Sequence, residues 1–147
     1  MTLHAIVGRA LFVLLVTPSL FAQAGDVGRS RFTLHCSGCH QLDGSGAAAS
    51  GVPRMKGVIG NFLRTPDGRN FLVQVPGSSQ SSLNDAQLAE QLNWIIRTMA
   101  EQSMPPEFVP YSESEVHDLR THRPENIIAL RKVITDNLAA LGFSVTP

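Results

Sequence analysis

The clearest pattern along the chain is a run of apolar positions between residues 84 and 101. They recur at intervals of three and four, as on one face of an α-helix: Leu88, Leu92, Ile95, Ile96 and Met99. Asn84 or Asp85 precedes the run and can cap its first turn. The pattern therefore predicts a helix that starts at one of these two residues and extends through Glu101.

Two of the remaining helices are predicted from their N-terminal signals. Asp26 is a suitable N-cap for a first helix that extends to about His35. Ser112-Glu-Ser-Glu115 has the form of a capping box, in which the serine and the second glutamate each bind the other's backbone N–H group. This box predicts a helix over residues 112–122.

Proline and glycine mark the other boundaries. Pro124 predicts the first turn of a last helix, which extends through Leu141 and ends before Gly142. The small and glycine-rich residues of Gln41–Gly51 indicate a loop. The prolines of Met104–Tyr111 indicate an extended segment, because proline and the residue before it disfavour helix.

The stretch before the periodic helix predicts turn and extended structure. Thr65-Pro-Asp-Gly68 has the composition of a β-turn. Phe71–Val75 is rich in β-prone residues and predicts a short strand or extended segment that ends at Pro76. Together, the predicted elements give a mostly α-helical fold with little sheet.

The N-terminus has the features of an export signal. Arg9 precedes an apolar run, Ala10–Val16, that is too short to span a bilayer. Ala22-Gln-Ala24 follows with the small-x-small pattern that signal peptidase recognises. We therefore expect residues 1–24 to be removed as a signal peptide, which leaves residues 25–147 in the periplasm. The alternative is an uncleaved membrane anchor.

Length and charge narrow the range of functions. The 147 residues suit a single domain, and 43% of them are apolar. The 12 basic residues balance 12 acidic residues, and cleavage would remove Arg9. The mature chain therefore has no basic surplus for binding nucleic acid. The sequence contains no pattern typical of a Ser-His-Asp triad, paired catalytic carboxylates or a phosphate loop, so we predict no catalytic residue and do not expect an enzyme.

Both cysteines of the chain lie in one motif, Cys36-Ser-Gly-Cys39-His40. A thioredoxin-like dithiol is typical of a βαβ context, and a structural zinc site usually has a second cysteine pair. A disulfide within the motif would close too small a loop to stabilise the fold much. Covalent haem fits better, because each thiol can add to a vinyl group while the histidine binds iron. A reactive or structural dithiol is the alternative.

The motif and its surroundings resemble the class I c-type cytochromes. Gly28 and Phe32 precede Cys36 at the spacing found in that family, where the glycine and the aromatic residue let the first helix pack closely against a later helix. Pro53 lies in a Val-Pro-Arg-Met stretch that resembles the segment after the family's haem motif. There a proline carbonyl accepts a hydrogen bond from the second ring nitrogen of the proximal histidine, which would be His40.

The resemblance implies a cytochrome c-like fold of short helices around one haem c per chain. Cys36 and Cys39 would bind the haem covalently, and His40 would be the proximal ligand of its iron. It also implies one-electron transfer between redox proteins, such as a periplasmic dehydrogenase and a membrane oxidase. Direct contact with the membrane is expected only if the signal peptide is uncleaved.

Electron carriers of this family usually have a methionine as the distal iron ligand, on an extended segment. Met104 begins a Met-Pro-Pro sequence like that segment and is the first candidate. A second alignment instead matches Ser82–Trp94 to the family's closing helix, whose aromatic residue packs on the first helix. The ligand should then precede this helix, yet Val75–Ser78 contains no methionine. Met55 becomes the candidate in that case, and residues from about 102 to 147 form a C-terminal helical extension.

The remaining alternatives concern the same distal position. Either His117 or His122 would be the distal ligand, or the distal position of the iron would be open. An open position would fit a haem enzyme or a gas-binding sensor better than a carrier. If the chain is the cytochrome subunit of a larger oxidoreductase, the C-terminal helical extension would be its contact surface.

Overall fold

The computed structural model describes residues 20–145, and the environments of side chains from residue 27 onward. The α-helices are α1 (Leu20–His35), α2 (Ser37–His40), α3 (Pro66–Gln74), α4 (Pro76–Ser79), α5 (Asp85–Met99), α6 (Glu113–Thr121) and α7 (Ile127–Ala140). The short 3₁₀ helices are Ala48–Ser50, Ile59–Arg64 and Glu101–Ser103. The prediction of a mostly α-helical fold is confirmed.

Sheet is almost absent from this part of the chain. Its β pairing is limited to an isolated bridge between Ala47 and Val52. None of the helices within residues 20–145 has both the length and the apolar character needed to cross a membrane. Most of the predicted signal peptide lies outside the described residues.

The helix predicted from periodicity is α5, and its start is at Asn84 as the N-cap. The Asn84 side chain accepts a hydrogen bond from the backbone N–H of Gln87, while the Gln87 side chain accepts one from the backbone N–H of Asn84. The five apolar residues of the pattern are all buried. The helix ends at Met99, slightly before the predicted Glu101.

The predictions of a turn over residues 65–68 and of a strand over residues 71–75 are wrong. Thr65 is the N-cap of α3, and its hydroxyl oxygen accepts a hydrogen bond from the backbone N–H of Gly68 at 3.1 Å. Pro66 occupies the first turn, where a missing N–H group costs nothing. Packing then outweighs β propensity, because three consecutive residues of α3 are buried in the core: Phe71, Leu72 and Val73.

Two predicted helix starts also need correction. Helix α1 includes Leu20 and continues through Asp26, so Asp26 is not its N-cap; the alanines in this stretch have high helix propensity. Helix α7 begins at Ile127 rather than Pro124, because Asn126 caps it through a hydrogen bond from the backbone N–H of Ala129. Its predicted end at Gly142 is confirmed, since that glycine has a φ of 85°.

Helices α1 and α5 pack together at a single glycine. A Cβ atom at Gly28 would lie 2.2 Å from Cγ and Cδ1 of Trp94, so only glycine allows the two helices to come this close. The ring of Phe32 packs on the same Trp94 ring, with 5.8 Å between the centroids. This contact holds the C-terminal end of α1 beside α5.

Helix α6 is bonded to the segment that precedes α5. The guanidinium group of Arg120 donates hydrogen bonds to the backbone carbonyls of Ser79, Ser81 and Leu83. It also binds the Asp85 carboxylate at 2.8 Å. Since backbone carbonyls of an irregular segment need partners when half-buried, Arg120 fixes the path of the chain into α5.

The segment between α5 and α6 is also held by side chains. The Asn93 amide binds both the N–H and the carbonyl of Tyr111, at 2.8 and 2.9 Å. Burial raises the pKa of Tyr111, so its hydroxyl stays protonated and donates to the carbonyl of Arg69. The Glu115 carboxylate binds the Arg69 guanidinium. It therefore does not accept the hydrogen bond from the backbone N–H of Ser112 that the predicted capping box requires.

Candidate functional site

The two cysteines lie at the junction of α1 and α2. The backbone N–H of Cys36 donates to the carbonyl of Phe32 in the last turn of α1, at 2.9 Å. The carbonyl of Cys36 accepts from the N–H of His40, at 3.0 Å, which makes the motif one helical turn. Cys36 is half-buried and packs on the core, whereas Cys39 is exposed, and both are free thiols. Burial raises the pKa of the Cys36 thiol.

The ring of His40 is held by one hydrogen bond. Its Nδ1 lies 3.0 Å from the carbonyl oxygen of Pro53. A carbonyl can only accept, so Nδ1 carries the proton and Nε2 keeps its lone pair. Burial lowers the pKa of His40, although the bond to Pro53 acts in the opposite direction. The neutral imidazole with a free Nε2 is the form that binds a metal ion.

Two glycines shape the loop between His40 and Pro53. Gly46 has a φ of 72°, and its N–H donates to the carbonyl of His40 at 3.0 Å. A Cβ atom at Gly46 would lie 2.7 Å from the carbonyl carbon and oxygen of Pro53. Gly44, with a φ of 73°, accepts hydrogen bonds from the N–H groups of Met55 and Lys56. These contacts bring the Pro53 carbonyl against the His40 ring.

The family model for Cytochrome c matches residues 26–122. The chain belongs to the cytochrome c family. Proteins of this family bind covalently attached haem c with iron, and this cytochrome c is accordingly a haem-c electron carrier. The match begins within α1 and ends just after α6.

Two curated relatives of this cytochrome c are both named cytochrome c-552 and come from Thermus thermophilus. One is 28% identical over an alignment of length 117, and the matched part is 66% of this chain and 88% of the relative. The other, from a specified strain of the same species, is also 28% identical, and the alignment covers 78% of its length. No solved structure matches the chain significantly.

The side chains of the motif fit a covalently bound haem. Two free thiols lie in one helical turn, and an imidazole with an unprotonated Nε2 follows directly. A helix of the core also has a buried amide, that of Gln91, which forms no hydrogen bond with the protein. Thiols and imidazole are the donors that haem c requires, whereas a zinc site would need more ligands. Within the described residues, no three or more His, Cys, Asp or Glu side chains are placed so that they could hold a metal ion by themselves.

The Gly28–Trp94 contact identifies α5 as the helix that closes on α1. This agrees with the second of the two alignments, in which an aromatic residue of the closing helix packs near the glycine of the first helix. The segment that precedes α5 consists of α4 and residues 80–84, and it contains neither methionine nor histidine. The segment expected to provide the distal ligand therefore has no side chain typical of that role.

The three methionines of the described chain have different surroundings. Met99 is 5% exposed, and its sulfur lies 2.6 Å from the position that a Cβ of Gly44 would occupy. Met55 donates its backbone N–H to the carbonyl of Gly44, so its backbone lies on the loop that follows His40. Met104 is half-buried with an extended backbone, beside Gly60 and beyond the end of α5.

The two histidines of α6 and its C-cap are exposed and have other partners. Nδ1 of His117 lies 2.9 Å from the Asp85 carboxylate, which raises the pKa of His117 and, with Arg120, lowers the pKa of Asp85. Nδ1 of His122 lies 2.7 Å from the carbonyl of Asp118. Because both histidines are exposed, neither lies on the buried side of α5.

Proposed function

We propose that this cytochrome c is exported and carries single electrons in the periplasm, from a dehydrogenase to a respiratory acceptor such as a membrane oxidase. Cys36 and Cys39 would form the thioether bonds to the haem, and His40 would bind its iron through Nε2. The observation that supports these roles most directly is the hydrogen bond between His40 Nδ1 and the Pro53 carbonyl. When bound, the haem supplies iron that changes reversibly between the ferric and ferrous states.

The chain's own residues would set the conditions for that exchange. The Pro53 carbonyl holds the His40 ring in one orientation, so the ligand does not reorganise when the charge of the iron changes. The exposed Cys39 would keep one edge of the haem close to the protein surface, where a partner can approach. The near-zero net charge of the chain predicts transient docking with a modest dependence on salt.

A pyridine haemochrome assay on the mature protein tests the central assignment. We expect one covalently attached haem per chain and a reduced-minus-oxidised spectrum typical of two thioether bonds. The periplasmic fraction of the producing cells should contain the haem-loaded protein without residues 1–24. A purified chain that carries no covalent haem would contradict the proposal.

Replacing Gly46 tests the role of the Pro53 carbonyl. In Gly46→Ala the new methyl group meets that carbonyl and the backbone is strained at positive φ, so we expect a loss of about 2–4 kcal/mol of stability. The weakened bond to His40 makes the imidazole a poorer donor to ferric iron, so the reduction potential should rise.

Gly51→Ala is the matched control for this change. Gly51 has a similar φ of 74°, but a Cβ there meets nothing within 4 Å. We expect Gly51→Ala to cost about 1 kcal/mol and to leave the potential unchanged. Equal shifts of potential in the two variants would contradict a role for the Pro53 carbonyl.

We propose Met104 as the sixth ligand although it follows α5, because Met99 is part of the core and Met55, the candidate of the second alignment, is bonded through its backbone N–H to the loop after His40. Its extended backbone is also typical of a distal ligand segment. We expect Met104→Ala to abolish the sulfur-to-iron charge-transfer band of the oxidised protein and to lower the potential, since a thioether favours ferrous iron. Met55→Ala should keep the band, and a band that survives in Met104→Ala excludes Met104.

A second candidate function is a haem protein with an open distal position that binds a small gas. The observation that favours it is the lack of any methionine or histidine in the segment before α5. Carbon monoxide added to the reduced protein distinguishes the two functions. Rapid and complete binding at neutral pH would support the open position, and no binding would support the carrier.

A further inference from the structure

The buried face of α5 contains an amide that has no hydrogen-bond partner in the protein. Gln91 is 1% exposed, and neither its Nε2 nor its Oε1 is bonded to another group of the chain. The nearby Asn93, also buried, has both of its amide atoms bonded to Tyr111. A buried amide without a partner destabilises the fold, so Gln91 is expected to have a partner that is not part of the polypeptide.

The position of Gln91 on α5 indicates where that partner lies. Trp94, three residues later, packs on Gly28 of α1, and Met99 packs against Gly44 in the loop after His40. Successive helical residues are rotated by about 100°, which places Gln91 between these two directions. The Cys36–His40 motif joins the end of α1 to that same loop. The face of Gln91 is therefore turned toward the motif.

We propose that the Gln91 amide hydrogen-bonds a small polar molecule enclosed beside the haem, which is water in the resting protein. Both the donor and the acceptor of the amide are free, and water satisfies both. A haem carboxylate in its ionised form only accepts, so it would leave Oε1 without a partner. This inference rests on the haem of the proposed function, but it does not depend on which residue is the sixth ligand.

The Gln91 amide and its bound water would affect the equilibrium between ferric and ferrous haem. Ferric haem has one more positive charge than ferrous haem, and a low-dielectric environment disfavours the more highly charged state. An amide and its bound water make the environment more polar, so they stabilise the ferric state. Gln91 is therefore a positioning residue that lowers the reduction potential.

Gln91→Leu in the haem-loaded protein tests this role. The change keeps most of the side-chain volume and removes both hydrogen-bonding groups. We expect the ratio of oxidised to reduced protein at a fixed potential to fall about fivefold, which corresponds to a rise of about 40 mV for a one-electron couple. Gln80→Leu, the same change at an exposed residue before α5, should leave the potential unchanged.

Other results would overturn the proposal. If Gln91→Leu raises the melting temperature without changing the potential, the amide is unpaired and has no role at the haem. Nuclear magnetic resonance of the unmodified protein provides a test that does not depend on folding of the variant. The Gln91 side-chain amide protons should shift between the ferric and ferrous states and show contact with water, and identical shifts in both states exclude the proposal. A chain without covalent haem in the haemochrome assay would instead contradict the proposed function.

Discussion

Replacing both Cys36 and Cys39 with serine is expected to abolish covalent haem attachment and to leave a poorly folded apoprotein. Serine has nearly the same shape as cysteine but forms no thioether with a vinyl group. The effect is expected to be large because a bound cofactor stabilises the native state by its own binding free energy. Without the covalent bonds, that free energy depends on the concentration of free haem.

The expected loss of structure follows from the arrangement of the helices around the motif. Cys36 packs on the core, and the motif joins α1 to the loop that holds the Pro53 carbonyl. Helix α1 has packing contacts mainly with α5 and α2, so its position depends on the motif and on the Gly28–Trp94 contact. Loss of the haem removes one of the groups that hold α1 in place.

Haem staining after denaturing electrophoresis and far-ultraviolet circular dichroism measure the two effects. The double serine variant should lose the stain and a large part of its helical signal. Gly38→Ala is the control within the same turn, because a Cβ there meets nothing within 4 Å and the variant should keep both signals. Stain that persists in the serine variant would exclude the cysteines as the attachment sites.

Helices with a strong local signal could be predicted from the sequence. Helix α5 has both an apolar face and a capping residue, so its local pattern and its packing agree. Helix α3 could not be predicted, because Phe71–Val75 has β propensity and is helical only through the Thr65 cap and burial against the core. The start of α7 is harder to predict from the sequence, since a helix end depends on a few competing caps, here Pro124 and Asn126.

The same distinction applies to the candidate site. The cysteines and His40 form a contiguous motif, and its spacing alone indicates their chemistry. The contact of Gly46 with Pro53 and the isolation of Gln91 depend on how distant segments approach each other. The spacing of glycines in Gly44-Ser-Gly46 indicates a tight loop. Gln91 follows Leu88 by three residues and precedes Ile95 by four, which places it beside the apolar face of α5, but no sequence signal shows that its amide lacks a partner.

The tail after α5 shows why sequence alignment alone left two registers. Met104-Pro-Pro looks like a ligand segment in sequence, but the packing of Trp94 on Gly28 identifies the preceding helix as the closing one. The bonds from Arg120 to the segment before α5 join α6 to the rest of the domain. A long-range contact of this kind has no local sequence signal, because the arginine and its acceptors are far apart in the chain.

Gly28→Ala is expected to destabilise the protein by about 3 kcal/mol, and its reason is the close contact between α1 and α5. The new methyl carbon would lie 2.2 Å from two atoms of the Trp94 indole, so the helices must separate or the ring must move. Separation also displaces the end of α1, where Cys36 lies. Thermal unfolding of the haem-loaded protein should show a melting temperature about 10 °C lower.

A double-mutant cycle with Trp94→Ala separates this contact from the effect of alanine on the helix itself. Removing the indole removes the atoms that the methyl group meets, so Gly28→Ala should cost little in the Trp94→Ala background. Alanine has higher helix propensity than glycine, and a small gain in stability is expected there. A loss that is equal in both backgrounds would show that α1 and α5 do not meet at this glycine, and the identification of α5 as the closing helix would then lose its support.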